Sequence, residues 1–140
     1  MMKVVLDTDV IIAGMRSPSG ASAELLRCAR RGELTLLASV PLFIEYEAIC
    51  TMAAHHGAAG LTLNEVHVFL DVIAAIVQPV KTHYLWRPQL RDPADEMVLE
   101  AAVNGGADAL VSFNQRHFGL APQRFGIQLL LPSELLRSIK

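Results

Sequence analysis

The chain has 140 residues, of which 52% are apolar, and this suits one domain with a substantial hydrophobic core. Its net charge of −2 argues against a broad phosphate-binding surface, and no apolar run approaches the roughly 20 residues that span a bilayer. Cys28 and Cys50 lack the spacing of a metal site, so we expect free thiols and a single cytoplasmic domain over residues 1–140 that does not contact a membrane.

Short apolar runs alternate with segments of helical periodicity along the chain. In chain order, the sequence predicts a strand at KVVLD, a helix over about 21–31, a strand at LTLLAS and a helix over about 40–55. Helices over about 62–76 and 93–104 follow, then strands at DALVSF and GIQLLL and a short helix after Pro132. The strand runs are continuous, as in parallel strands buried on both faces. This order indicates an α/β domain of three layers, with a central, mostly parallel β-sheet flanked by helices.

Two aspartates lie within the apolar stretch VVLDTDVII at positions 4–12. Burying an ionised carboxylate costs several kcal/mol unless it is paired, hydrogen-bonded or bound to a cation. Asp7 ends the first predicted strand, where parallel sheets bind ligands, although an aspartate here can also cap the next turn. Asp9 either shares the site or only caps, and we favour Asp7 for the chemistry.

The helix predicted over about 40–55 carries two glutamates on different sides. At about 100° per residue, Glu45 falls beside Leu42 and Ile49 on the apolar side, whereas Glu47 faces away and is predicted to be solvated. A carboxylate on the apolar side needs a partner. Either a cation or a nearby arginine would satisfy Glu45.

The segment RDPADEMVLEAAVNGG repeats this arrangement. Asp92 before Pro93 is typical of a helix N-cap. Asp95 lies on the apolar side of the predicted helix, while Glu96 and Glu100 project from the other side. The helix dipole favours an acid in the first turn, which explains part of this placement.

Three separate elements therefore direct Asp7, Glu45 and Asp95 toward the interior or the upper edge of the sheet. If these carboxylates converge, a cation has to balance their charge. Because the candidate ligands are all oxygens, the sequence favours Mg²⁺ or Mn²⁺ over zinc.

Four motifs in this order resemble the PIN-domain ribonucleases, in particular the VapC-like toxins of bacterial toxin–antitoxin pairs. They are an Asp-Thr-Asp after the first strand, SVPLFIEYEAI, DPADEMVLEAA and ADALVSFNQRHF. The resemblance covers nearly the whole chain and implies a PIN-like fold and a metal-dependent endoribonuclease with one or two Mg²⁺ or Mn²⁺ ions. It also implies an RNA substrate, a cognate antitoxin protein and a homodimer, and the high apolar content agrees with a dimer.

The resemblance assigns the first three acids of the family's site to Asp7, Glu45 and Asp95, as metal ligands, and the fourth catalytic position to Asn114. Asn114 stands where many members have aspartate, so a second metal site is expected to be weaker.

Three further positions match or depart from the family pattern. Ser112 matches a small hydroxyl residue, and Asp92 matches an additional acid of this subgroup. Asp9 stands where the family usually has asparagine, and it would partly offset the missing fourth charge. His117 lies where members with asparagine often carry aspartate.

Two arginines are candidates for contacts with substrate phosphates. Arg16 is predicted to lie on the loop GMRSPSG, and Arg116 lies within the last motif; each is individually also explained as an ordinary surface arginine. The segment HYLWRPQLR either stacks a base or receives an antitoxin segment, or it is a loop anchored by Trp86.

Two alternatives remain open. The missing fourth acid is compatible with a degenerate, non-catalytic PIN domain that binds RNA or a protein partner. The Asp-x-Asp pattern also resembles phosphatases of the haloacid-dehalogenase type, in which the first aspartate is a nucleophile. That reading also needs a suitably placed lysine and a late acidic pair; the only later lysines are Lys81 and Lys140, and ALVSFNQ has no acids, so it is the weaker alternative.

Overall fold

A computed structural model describes residues 1–83 and 89–139, and within these ranges five strands form one parallel sheet. The strands are β1 (Lys3–Leu6), β2 (Thr35–Ser39), β3 (Val77–Val80), β4 (Ala109–Val111) and β5 (Gln128–Leu130). Their order across the sheet is β3-β2-β1-β4-β5, and every neighbouring pair is parallel. The chain order therefore reverses between β1 and β4, and α/β sheets bind ligands in the crevice at such a switch point.

Helices flank the sheet and complete the predicted three-layer α/β fold. None of those in the described ranges is both long enough and apolar enough to cross a bilayer. In chain order they are α1 (Thr8–Arg16), α2 (Ala21–Arg30), α3 (Val40–Cys50), α4 (Ala53–Ala58), α5 (Leu63–Ile76), α6 (Pro93–Gly105), α7 (Gln115–Phe118), α8 (Ala121–Arg124) and α9 (Pro132–Ser138).

The starts of the longer helices follow the local sequence. The Ser39 hydroxyl accepts a hydrogen bond from the Leu42 N–H at the start of α3. Thr62 and Glu65 form the predicted capping box of α5, and Asp92 caps α6 by accepting a hydrogen bond from the Ala94 N–H at 2.9 Å. These side chains satisfy backbone donors that the first helical turn leaves free.

The core lies on both faces of the three central strands. Val4 and Val5 on β1 and Leu110 on β4 are fully buried, and α6 packs against β1, β2 and β4. The edge strand β5 is only partly buried, so GIQLLL does not form a strand covered on both faces as predicted. The ends of β1 and β4 thus stand on the most rigid part of the sheet.

The first helix, α1, was not predicted. GMRSPSG is not a loop throughout, because Gly14 and Arg16 belong to α1 and only the residues after Arg16 leave the helix. A Cβ on Gly14 would lie 2.9 Å from Leu26 Cδ1, so this glycine permits close packing of α1 on α2. The prediction that Arg16 lies on a loop is therefore wrong, since Arg16 is the last residue of α1.

The segment predicted as one helix over about 40–55 is divided into α3 and α4. Met52 adopts an extended conformation between them, and the Thr51 hydroxyl donates a hydrogen bond to the Glu47 carbonyl at 2.7 Å. This bond satisfies a terminal carbonyl of α3 and ends the helix there.

The sequence also missed β3, which follows α5 directly. Its run VQPV contains Pro79, which argues against a central strand but is tolerated at the edge of a sheet, where β3 lies.

Candidate metal and nucleic-acid site

The switch point brings Asp7 and Ser112 together, because each follows one of the two central strands. The Ser112 hydroxyl donates a hydrogen bond to Asp7 Oδ2 at 2.6 Å. The Thr8 N–H donates to Asp7 Oδ1 at 2.8 Å, and the Asp7 N–H donates to the Val111 carbonyl at 2.8 Å. Asp7 and Ser112 are both buried, so the Asp7 carboxylate is held in one orientation.

Asp9 and Asn114 extend this network. Asp9 Oδ2 accepts hydrogen bonds from Asn114 Nδ2 at 2.9 Å and from the Phe113 N–H at 3.1 Å. The Asn114 N–H donates to the Ser112 hydroxyl at 2.9 Å. Asp9 Oδ1 is buried and has no hydrogen-bond partner among the described residues. One carboxylate oxygen of this network is therefore left without a donor.

Asp95 approaches the network from the first turn of α6, where it is 8% exposed. The ring Nδ1 of His117 lies 3.4 Å from Asp95 Oδ2. Burial and the nearby charges of Asp7 and Asp92 raise the pKa of Asp95 to about 6. The described side chains therefore do not balance the negative charge at this position.

The pKa values of Asp7 and Asp9 are also raised. Burial raises the pKa of Asp7, although its hydrogen bonds from Ser112 and Thr8 act in the opposite direction. Burial and the charge of Asp7 raise the pKa of Asp9 to about 6. A cation at this position would favour the charged form of all three carboxylates.

Glu45 is the predicted ligand that the structure does not connect to this network. The buried side of α3 consists of Leu42, Tyr46 and Cys50, with the Tyr46 hydroxyl donating to the Leu6 carbonyl. Glu45 lies one position beside that stripe and is only half-buried. Glu47 is exposed, as predicted.

The two other acids of α6 also differ from the prediction. Glu96 and Glu100 are both buried rather than projecting away from the core. Glu96 Oε1 accepts hydrogen bonds from the N–H groups of Gln89 and Leu90 at 2.7 and 2.8 Å. The chain before α6 folds over this side of the helix, which periodicity cannot reveal.

The donor set can be tested for a divalent cation. Within residues 1–83 and 89–139, no group of three or more His, Cys, Asp or Glu side chains is arranged to hold a metal ion. Mg²⁺, however, usually keeps several waters and binds through one or two carboxylates. Asp7 and Asp95 are two carboxylates of this kind and fit a partly hydrated Mg²⁺ or Mn²⁺ ion, while Asp9, with its unpartnered oxygen, stays a secondary candidate.

A cleft of about 630 Å³ opens beside Asp95. Asp92 and Asp95 lie on its wall together with Arg116, His117 and Arg124, whereas Arg16 does not. Juxtaposed acidic and basic groups suit a phosphate that is held partly by a cation and partly by arginines. The sequence analysis missed Arg124, since a single arginine on the four-residue helix α8 carries no signal.

The segment containing Tyr84 and Trp86 lies outside the described residues, so the alternatives for HYLWRPQLR stay predictions. His83, which begins that segment, is described and donates its N–H to Asn104 Oδ1 at 3.1 Å.

Comparisons with known proteins agree with the fold and the motifs. The family model of the PIN domain matches residues 3–116. Among solved structures, the crystal structure of VapBC2 from Rickettsia felis bound to a DNA fragment from their promoter matches with a TM-score of 0.59. This likeness has 13% sequence identity and covers 91% of this chain and 97% of that chain, which shows a shared fold. A search of curated proteins found no match. Because the family model covers most of the chain, including Asp7, Asp95 and Asn114, the protein belongs to the PIN-domain family.

Proposed function

We propose that the chain is a Mg²⁺- or Mn²⁺-dependent endoribonuclease and the toxin of a toxin–antitoxin pair in the cytoplasm. One observation carries the proposal: Asp7 and Asp95 come from separate elements and meet at the switch point with charge that the described side chains leave unbalanced. Membership of the PIN-domain family and the cleft with Arg116 and Arg124 support it.

In this mechanism, Asp7 and Asp95 would hold the cation, and Asp9 would be a secondary candidate for a further oxygen donor. When bound, the cation lowers the pKa of a bound water and neutralises charge on the scissile phosphate. Ser112 orients Asp7, and Asn114 orients Asp9. Arg116 and Arg124 on the wall of the cleft contact the phosphate backbone. We retain Glu45 as a candidate ligand that would act through a bound water.

The antitoxin is a proposal that rests on the Rickettsia felis structure, which contains VapBC2 together with promoter DNA. By extension, this chain binds a cognate antitoxin protein, and that partner suppresses RNA cleavage.

The proposed activity is tested by incubating RNA with the protein in Mg²⁺, in Mn²⁺ and in EDTA. We expect cleavage with either cation and none in EDTA. Asp7→Asn and Asp95→Asn should each abolish it, since each removes one charged ligand. Asp71→Asn, on the exposed side of α5, is the matched control and should cleave like the wild type. Cleavage that persists unchanged in both site variants would reject the assignment.

A degenerate PIN domain that binds without cutting is the second candidate. Asn114 in place of an acid, and the absence among described residues of a group of three close ligands, favour it. Titration calorimetry separates the two candidates. A catalytic site binds Mn²⁺, and Asp7→Asn weakens that binding. No heat of Mn²⁺ binding in the wild type would favour the degenerate domain.

A further inference from the structure

Phe113 occupies an unusual position for a large apolar side chain. It follows β4 between Ser112 and Asn114, both of which belong to the acidic network, yet it is 49% exposed. Its backbone N–H donates to Asp9 Oδ2 at 3.1 Å. The peptide group is thus tied to the candidate site, while the ring is open to solvent beside it.

A small cavity adjoins the ring. Its volume is about 250 Å³, against about 630 Å³ for the main cleft. Phe113 lines it together with Ala13, Ser17, Gly20 and Pro132. Pockets for whole drug-sized ligands measure roughly 300 to 1,000 Å³, so this cavity suits a fragment such as one nucleobase. Small side chains and serine hydroxyls offer a flat ring both apolar contact and hydrogen bonds.

Helix α1 connects this cavity to the acidic network. At about 100° per residue, Ala13 lies about 40° from Asp9 and Arg16 about 20° from it, so the three share one side of the helix. Arg16 is exposed and lies roughly 10 Å beyond Asp9 along the axis. One side of α1 thus carries, in order, the Asp9 carboxylate, the cavity lined by the Phe113 ring, and the Arg16 guanidinium.

This spatial order of an aromatic ring, a cavity and an arginine is suited to binding single-stranded nucleic acid. Aromatic rings stack on bases irrespective of sequence, and arginines contact the backbone phosphates. An isolated exposed apolar residue is normal on a protein surface, so the exposure of Phe113 alone does not indicate a binding role. What distinguishes Phe113 is that its ring lines a cavity and that its peptide group is bonded to Asp9, which shares one side of α1 with Arg16.

We propose that Phe113 stacks on a base of the substrate RNA beside the scissile phosphate, that the adjoining cavity receives this base, and that Arg16 contacts a phosphate further along the strand. This inference rests on the proposed function, since it assumes RNA as the substrate. It adds a binding residue that lies outside the acidic quartet and outside the main cleft.

The test uses the full chain and a short, fluorescein-labelled, single-stranded RNA of mixed sequence, with EDTA present to prevent cleavage. Fluorescence anisotropy gives the Kd for the wild type, Phe113→Ala, Phe113→Leu and Phe113→Trp. All three substitutions keep the backbone N–H that Asp9 accepts, so they leave the acidic network intact. Leu63→Ala, at a position 47% exposed at the start of α5, is the matched control.

We expect Phe113→Ala and Phe113→Leu to raise the Kd by about tenfold, and Phe113→Trp to retain the affinity of the wild type. In Phe113→Trp, RNA should also quench the added tryptophan fluorescence relative to the wild type, as direct evidence of stacking. Under cleavage conditions, Phe113→Ala should raise KM more than it lowers kcat. Leu63→Ala should match the wild type in every measurement.

An unchanged Kd in both Phe113→Ala and Phe113→Leu overturns the inference, and an equal loss in Leu63→Ala does so too. Cleavage that depends on Asp7 and Asp95 but not on Phe113 leaves the proposed function in place and removes only the stacking role. RNA binding that depends on Phe113 without any cleavage supports the stacking role and rejects the nuclease. Loss of antitoxin binding in Phe113→Ala with an unchanged Kd for RNA assigns the ring to the protein partner and overturns the inference.

Discussion

At the scale of single residues, the carboxylates at the switch point oppose one another in the metal-free protein. The pKa values of Asp9 and Asp95 rise from 3.8 to about 6 on folding. A raised carboxylate pKa means that the folded state binds the proton more tightly than the unfolded state. The resulting stabilisation is fully present below about pH 4 and is lost as the pH rises through about 6.

We therefore predict that the stability advantage of Asp95→Asn over the wild type, measured in EDTA, is larger at pH 7 than at pH 4 by roughly 1 to 2 kcal/mol once solvent screening is allowed for. Asparagine carries no charge that burial could penalise. Urea denaturation at the two pH values measures this difference. Saturating Mg²⁺ should reduce the advantage at pH 7, because the cation stabilises the charged carboxylate of the wild type. An identical difference at both pH values would contradict the assignment of Asp95 to an unbalanced cluster.

Some of these residues could be predicted from the sequence and others could not. Asp7 at the end of a strand and Asp95 on the apolar side of a helix are periodic signals, and both reach the switch point. The bond from Asn114 Nδ2 to Asp9 joins residues 105 positions apart across β1 and β4, which no local pattern encodes. Glu45 was placed on the apolar side of α3 together with Leu42 and Ile49. Leu42 is buried, but the buried stripe continues through Tyr46, so Glu45 lies at its edge.

At the scale of elements, α6 matters most, since it packs against the central strands and carries Asp95. The two glycines at its end have different roles. Gly106 ends the helix in the left-handed region with φ of 63°. Gly105 is still helical, and a Cβ there would lie 2.8 Å from Leu37 Cδ1 and 2.9 Å from Val80 Cγ2. The end of α6 therefore approaches β2 and β3 more closely than any larger residue allows.

Gly105→Ala is predicted to lower the free energy of unfolding by up to about 2 kcal/mol. Alanine gains about 1 kcal/mol of helix propensity over glycine, but crowding in a packed core costs roughly 1 to 3 kcal/mol. Gly57→Ala in α4 is the matched control, because its Cβ meets no atom within 4 Å and only the gain remains. Thermal and urea denaturation check both variants. A stabilised Gly105→Ala would mean that Leu37 and Val80 move aside without cost.

The sequence predicted the elements that carry caps or long periodic runs, which are α2, α5, α6 and the central strands. It failed where tertiary contacts override local pattern. Helix α1 is short and contains Gly14, which serves close packing on α2. Strand β3 contains a proline that only an edge position allows.

At the scale of the whole molecule, one surface has the composition of an interface. Helices α3 and α5 pack together and expose four aliphatic side chains. They are Val40, Ile44, Val68 and Val72, with exposed fractions of 69%, 56%, 62% and 42%. An apolar groove of about 360 Å³ between β2, α3, α5 and β3 is lined in part by Val40 and Ile44. We call this surface the α3–α5 face.

We predict that the chain forms a homodimer through the α3–α5 face, whose exposed aliphatic side chains the partner would cover. A stable interface of this kind buries roughly 800 Å² on each partner. Ile44→Glu and Val68→Glu should shift the molecular mass measured by light scattering from dimer to monomer. Leu120→Glu changes a residue that is 66% exposed on the wall of the main cleft, and it should remain dimeric. A wild type that is monomeric at all concentrations, or dimers that survive both glutamate substitutions, would reject this arrangement.

The contact between the Phe113 peptide group and Asp9 has an implication for how such a chain can diversify. Because the network uses the main chain at position 113, it is indifferent to the identity of the side chain there. Exchanging the ring for another group alters what lies against a bound strand and leaves the carboxylates where they are. Under the proposed stacking role, the preference for the bound base at this position can therefore change, by evolution or by engineering, without a change in turnover.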